Sequence, residues 1–106
     1  MKEIKAYIRR ERLDPVVNAL AHIPDLSGIS LSTVTGFGRS RGRLRFVDFE
    51  THVKVEVVCG DSLVEVVTAT IQEQACTRKR GDGKIFVTEV EQAVRIETGE
   101  RNNSCV

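Results

Sequence analysis

The residues with the most chemistry in them lie at 78–84, Arg-Lys-Arg-Gly-Asp-Gly-Lys. Glycines let backbone N–H groups approach a phosphate, and the surrounding cations neutralise it. The segment is not a Walker A loop, because Ile85 follows Gly83-Lys84 where Ser or Thr is required. On spacing alone a helix-to-strand turn carrying solvated charge is the leading reading. Gly36-Phe37-Gly38-Arg39 is a second glycine-rich candidate, with a strand end or bulge as its structural alternative. A third is Arg39, Arg41, Arg43 and Arg45, alternating with Ser40, Gly42 and Leu44. Such a stretch suits an anionic ligand or an acidic partner surface, or serves only solubility.

The remaining reactive residues form no recognisable site. His22 ends a predicted helix, where a cation suits the dipole. His52 opens a strand beside the arginine segment and is a candidate ligand contact. Cys59, Cys76 and Cys105 lack metal-ligand spacing and cannot all pair within one chain, which suits a reducing compartment. No Ser–His–Asp or paired-carboxylate pattern argues for catalysis.

The elements that must position these residues follow from periodicity. Ile4, Ala6 and Ile8 alternate with Lys5, Tyr7 and Arg9, a half-buried strand over 2–9. Asp14-Pro15 is expected to start a helix, with Leu13, Val16, Val17 and Leu20 on one face. Residues 29–35 read as a second strand ended or bent by Gly36-Phe37-Gly38, and 39–45 as a mobile loop. Val53, Val55 and Val57 mark a third strand. Ser62 to Glu65 is a capping-box pattern opening a second helix, whose expected buried face is Leu63, Val66, Val67, Thr70 and Ile71. Residues 85–87 make a fourth strand and 94–96 a short terminal one. The order is β-α-β-β-α-β, which predicts an α+β, ferredoxin-like sandwich: a four-stranded antiparallel sheet with two helices on one face. The whole chain, 1–106, is one domain.

Composition narrows the function. Sixteen basic residues against 15 acidic ones give a net charge of +1, too even for global capture of nucleic acid or an anionic membrane. No apolar run nears the roughly 18 residues of a membrane span, and the charged N-terminus is no signal peptide. Five aromatics without Trp leave little for base stacking. A cytoplasmic location is expected. The sheet face without helices, carrying Lys5, Tyr7, Lys54 and Glu56, invites oligomerisation.

Taken together, the segments resemble the PII signal-transduction family. The matching stretches are MKEIKAYI, Thr35 to Arg39, Lys54 to Val58, Asp61 to Val67, Gly81 to Val87 and Arg95 to Arg101. GDGKIF followed nine residues later by R-I-x-T-G-E-R is specific, and the likeness spans nearly the whole chain. The resemblance implies a homotrimeric adenine-nucleotide sensor with a ferredoxin-like fold and no catalytic activity. It implies a nucleotide cleft between subunits, with Ser30, Gly36, Phe37, Gly38, Arg39 and Val58 on one wall. Thr77, Gly81, Asp82, Gly83 and Lys84 would hold phosphates, within a phosphate-binding loop at 77–84, and Arg95 would reach across from a neighbour. The tail is 97–106.

Departures from the family pattern refine this. The family's partner-binding T-loop corresponds to residues 39–46, several residues short and without the tyrosine modified in some relatives. Ser40 and His52 stand where relatives use a glutamine and a lysine for 2-oxoglutarate, so that response is not expected. Glu97 replaces an arginine and Arg78 a glycine, which points to ADP or AMP at least as well as ATP. Ser40, Arg41, Arg43, Arg45 and His52 are the candidate second-ligand set, and four arginines favour an anion such as bicarbonate over a metal. The short loop resembles the carboxysome- and bicarbonate-transporter-associated subgroup, with a transporter or enzyme as docking partner. A regulator tied to heavy-metal efflux, or a small nucleotide hydrolase using Asp82 or Glu97, are the alternatives.

Overall fold

A computed structural model describes residues 1–34 and 52–106 in full, and the backbone of 36–40 and 43–47. Four strands form one antiparallel sheet: β1 (Lys2–Arg9), β2 (Ser30–Thr33), β5 (His52–Cys59) and β6 (Gly83–Glu89), in the spatial order β2-β5-β1-β6. A second, two-stranded ladder joins β3 (Gly36–Ser40) to β4 (Arg43–Val47). The helices are α1 (Leu13–Ala21) and α2 (Val64–Ala75). With the β3–β4 hairpin set between β2 and β5, this is the ferredoxin-like order expected.

The alternating pattern of β1 sets the core. Ile4, Ala6 and Ile8 are buried, and register places them opposite Val57, Val55 and Val53 of β5. Val16 and Leu20 of α1 and Val67, Ile71 and Ala75 of α2 close over this face. Cys59 joins the same core, where burial raises its thiol pKa and keeps it protonated. The opposite face is polar but ordered: Lys5 pairs with Glu3 at 3.5 Å, Lys54 with Glu56 at 3.1 Å, and Tyr7 meets Phe86 edge-on at 6.2 Å.

Several expectations are corrected. The 39–45 segment is not a loop throughout. Its backbone pairs as β3 and β4, with Ser40 opposite Arg43, and the alternation of arginine with Leu44 and Phe46 is itself a strand period. Gly36 opens β3 rather than ending β2. Neither helix start is capped as expected. Asp14 lies inside α1, whose N-cap is Arg12, and the capping box at Ser62 is not formed. Instead, 3-10 turns at Arg10–Arg12 and Asp61–Leu63 lead into the helices. Asp61 is engaged by the N-terminal ammonium at 2.5 Å, which lowers its pKa. Val66 is exposed, while Ala75 takes a buried place in the α2 stripe. Residues 94–96 form no strand: Val94 makes one bridge to Arg101, closing a tight turn in which Gly99 has φ +75°. The turn wins because Arg95 N–H donates to the Glu100 carbonyl at 2.8 Å within the segment itself. All three cysteines are free.

Candidate functional site

The site is built where α2 ends and β6 begins. The backbone N–H of Cys76 donates to Gln72, the last helical turn closes, and residues 77–82 swing the chain into the sheet edge. Three turn residues take positive φ: Arg78 at 63°, Gly81 at 93° and Gly83 at 110°. Gly83 is obligatory. A Cβ there would lie 1.6 Å from the Tyr7 carbonyl oxygen, so only glycine lets the loop lie flat on β1.

Asp82 organises the loop from within. One carboxylate oxygen accepts from the Thr77 backbone N–H at 2.7 Å; the other accepts from the Thr77 hydroxyl and from Arg9 Nε at 3.0 Å. The Thr77 hydroxyl and N–H, followed by Arg9, hold the Asp82 carboxyl well below the usual carboxylate range. Arg9 Nη2 also donates to the Arg80 carbonyl at 2.7 Å, and His52 Nε2 lies 3.2 Å from the Gly81 carbonyl. Lys84 follows as the second residue of β6, exposed and opposite Tyr7. Beside the loop is a pocket of about 330 Å³ floored by Ile8, Ile71 and Ile85 and edged by Gln72, Asp82 and Lys84.

The structure therefore gathers Thr77, Gly81, Asp82, Gly83, Lys84 and His52 at one end of the sheet. Ser30 begins β2 opposite Glu56, and Val58 is half-buried on β5 opposite Glu3. Gly36, Phe37, Gly38, Arg39 and Ser40 constitute β3, and Arg43 and Arg45 fall on β4; Arg41 lies outside the described residues. Arg95 stands apart, held 3.5 Å from the Glu100 carboxylate, with Nη2 3.4 Å from the Cys105 carbonyl. Among the described residues, nothing in this chain joins it to the 77–84 loop. Sequence reasoning missed Arg9 and Tyr7. Arg9 is 73 positions from Asp82, so no local spacing reveals the pair.

A helix-backed antiparallel sheet with a glycine-rich, cation-flanked loop between α2 and β6 places the chain in the ferredoxin-like fold class. Within it, the family model described as nitrogen regulatory protein P-II matches residues 1–100. The nitrogen regulatory protein P-II of Azospirillum brasilense is 45% identical over 113 aligned positions, covering all of both chains. That of Rhodospirillum rubrum is 43% identical and the P-II 1 protein of Escherichia coli 40%, again with full coverage of both. The chain belongs to the P-II family of signalling proteins. No helix among the described residues is long and apolar enough to cross a membrane.

Proposed function

We propose that this chain is a cytoplasmic, homotrimeric regulatory sensor that binds ADP or AMP, and also ATP, in clefts between subunits and has no catalysis of its own. The observation that carries this reading is the braced 77–84 loop, with its glycines, Arg78, Lys79, Arg80 and Lys84 and its only carboxylate already engaged. Lys84 supplies the phosphate contact, and Arg95 comes from a neighbouring subunit. The adenine wall is Ser30, Gly36, Phe37, Gly38, Arg39 and Val58. Asp82 serves by shaping the loop. Its depressed pKa and engaged oxygens make it a weak base for activating water, which speaks for sensing over hydrolysis.

The trimer rests on the exposed apolar side chains: Leu31, Phe86, Val94 and, at 99% exposed, Ile96. Ligand state is transmitted by linkage: a ligand that contacts one arrangement of the 39–46 segment shifts the population toward it. A transporter or enzyme docks there. Bicarbonate is the proposed second ligand, held by Ser40, Arg41, Arg43, Arg45 and His52, as in a carboxysome-associated member. Relatives named for nitrogen regulation make 2-oxoglutarate the competitor, and Ser40 and His52 speak against it.

Calorimetry with AMP, ADP and ATP is the primary test. Lys84→Ala should lose a charge-assisted contact of about 1.5–3 kcal/mol, roughly tenfold to 150-fold in Kd. An unchanged Kd rejects the site. With nucleotide present, bicarbonate should slow hydrogen exchange across 39–46 while millimolar 2-oxoglutarate gives no saturable heat. The reverse result replaces the inorganic-carbon reading with the nitrogen one.

A further inference from the structure

Three acceptor groups of the 77–84 loop are turned onto the protein: the Arg80 carbonyl onto Arg9 Nη2, the Gly81 carbonyl toward His52 Nε2, the Asp82 carboxylate onto Thr77 and Arg9 Nε. The cations of Arg78, Lys79, Arg80 and Lys84 surround these engaged acceptors.

Arg9 makes two of these contacts from a distant element. It is the last residue of β1, opposite His52 in the β1–β5 register. Its Nη2 lies 3.3 Å from where a Cβ on Gly81 would stand, so the guanidinium is packed against the loop rather than reaching into solvent. Arg9 and Asp82 are both mostly buried, with 24% and 21% of their side chains exposed. A planar fork spans a carboxylate and a carbonyl at once; a lysine ammonium on a flexible stem does not hold both in fixed geometry.

We propose that Arg9 is a positioning residue for the anion site, cancelling the Asp82 carboxylate and pinning the Arg80 carbonyl so that neither is turned toward an incoming polyphosphate. This rests on the nucleotide reading above. It differs from a merely structural role in one respect: without Arg9, Asp82 becomes an uncompensated negative charge beside the phosphates, and its repulsion grows with ligand charge.

The full-length protein is compared with Arg9→Met, Arg9→Lys, Asp82→Asn and the Arg9→Met/Asp82→Asn double variant. Readouts are calorimetry with AMP and ATP and hydrogen exchange of 77–84 without ligand. Arg9→Met should weaken AMP about tenfold and ATP several-fold more, and the double variant should recover most of the ATP loss. Arg9→Lys should fall between wild type and Arg9→Met. Both single Arg9 variants should speed exchange in 77–84 while β1 and β5 stay protected. Equal losses for AMP and ATP with no recovery by Asp82→Asn overturn the proposal, as does unchanged affinity. If Arg9→Met does not fold, Arg9→Lys decides: wild-type exchange and affinity there overturn it. Wild-type protein that binds no nucleotide removes the preceding functional reading instead. Arg9 is then judged on loop exchange, where wild-type protection in Arg9→Lys and Arg9→Met overturns its role.

Discussion

At Gly83 one missing methyl group decides whether the loop can exist. The residue combines φ +110° with a Cβ position 1.6 Å from the Tyr7 carbonyl. Gly83→Ala should therefore cost roughly 3 kcal/mol or more and detach the start of β6. Gly60 is the control. Its φ is −64° and nothing lies within 4 Å of its Cβ position, so Gly60→Ala should be neutral or add about 0.4–1 kcal/mol by restricting the unfolded chain. Urea midpoints at one fixed protein concentration separate the two. Asp82 adds a pH signature. Its folded pKa lies below the ordinary value of 3.8, so its contribution is complete above that pH and fades as the pH falls through the acid range beneath. Asp82→Asn should flatten the stability profile below about pH 4, and a slope equal to wild type there would contradict the brace.

Elements carry the site by their ends rather than their middles. The α2 stripe of Val67, Ile71 and Ala75 fixes the helix against β1, and that placement puts Thr77 within reach of Asp82. Ile71 is fully buried, so Ile71→Ala should cost about 2–5 kcal/mol by urea unfolding. Because Ile71 also floors the pocket beside the loop, nucleotide affinity should fall with it, whereas Leu20→Ala, similarly buried on α1, should lower stability without altering Kd in protein that remains folded. The β3–β4 ladder shows a second lesson at this scale. Arginine at every second position reads as a charged loop when polarity is weighed, and as strand when period is weighed; the backbone follows the period.

On the scale of the whole molecule, the chain leaves apolar groups uncovered that a monomer would hide. Phe86 and Leu31 sit about half-exposed on the sheet, and Ile96 projects from the 94–101 turn with essentially no cover. In the proposed trimer a neighbouring subunit supplies that cover, and Arg95 reaches the neighbour's loop. Sedimentation should give three times the 11.8 kDa chain mass. Ile96→Asp should lower the assembled fraction on dilution and weaken nucleotide binding together, since the proposed cleft is shared by two subunits. Monomeric wild type with full nucleotide affinity would refute the intersubunit cleft.

Local pattern determined a good part of this. The period-2 runs of β1 and β5, the 3.6-residue stripe of α1 and the glycines of 81–83 each act over a few residues, so the sheet, the helices and the glycine turn before β6 were legible from sequence. Helix starts were not. Asp14 and Ser62 look like caps, yet a 3-10 turn leads into each helix, and the N-terminal ammonium engages Asp61 beside Ser62 from sixty residues away. What only the tertiary structure decided is the state of the loop itself. Asp82 is held by Thr77 five positions away but also by Arg9 from another strand, and the Arg80 carbonyl accepts from the same guanidinium. The Arg9 contacts exist because β1 and β6 are neighbours in the sheet, and hydrogen bonds between residues 71 and 73 positions apart leave no trace in local spacing.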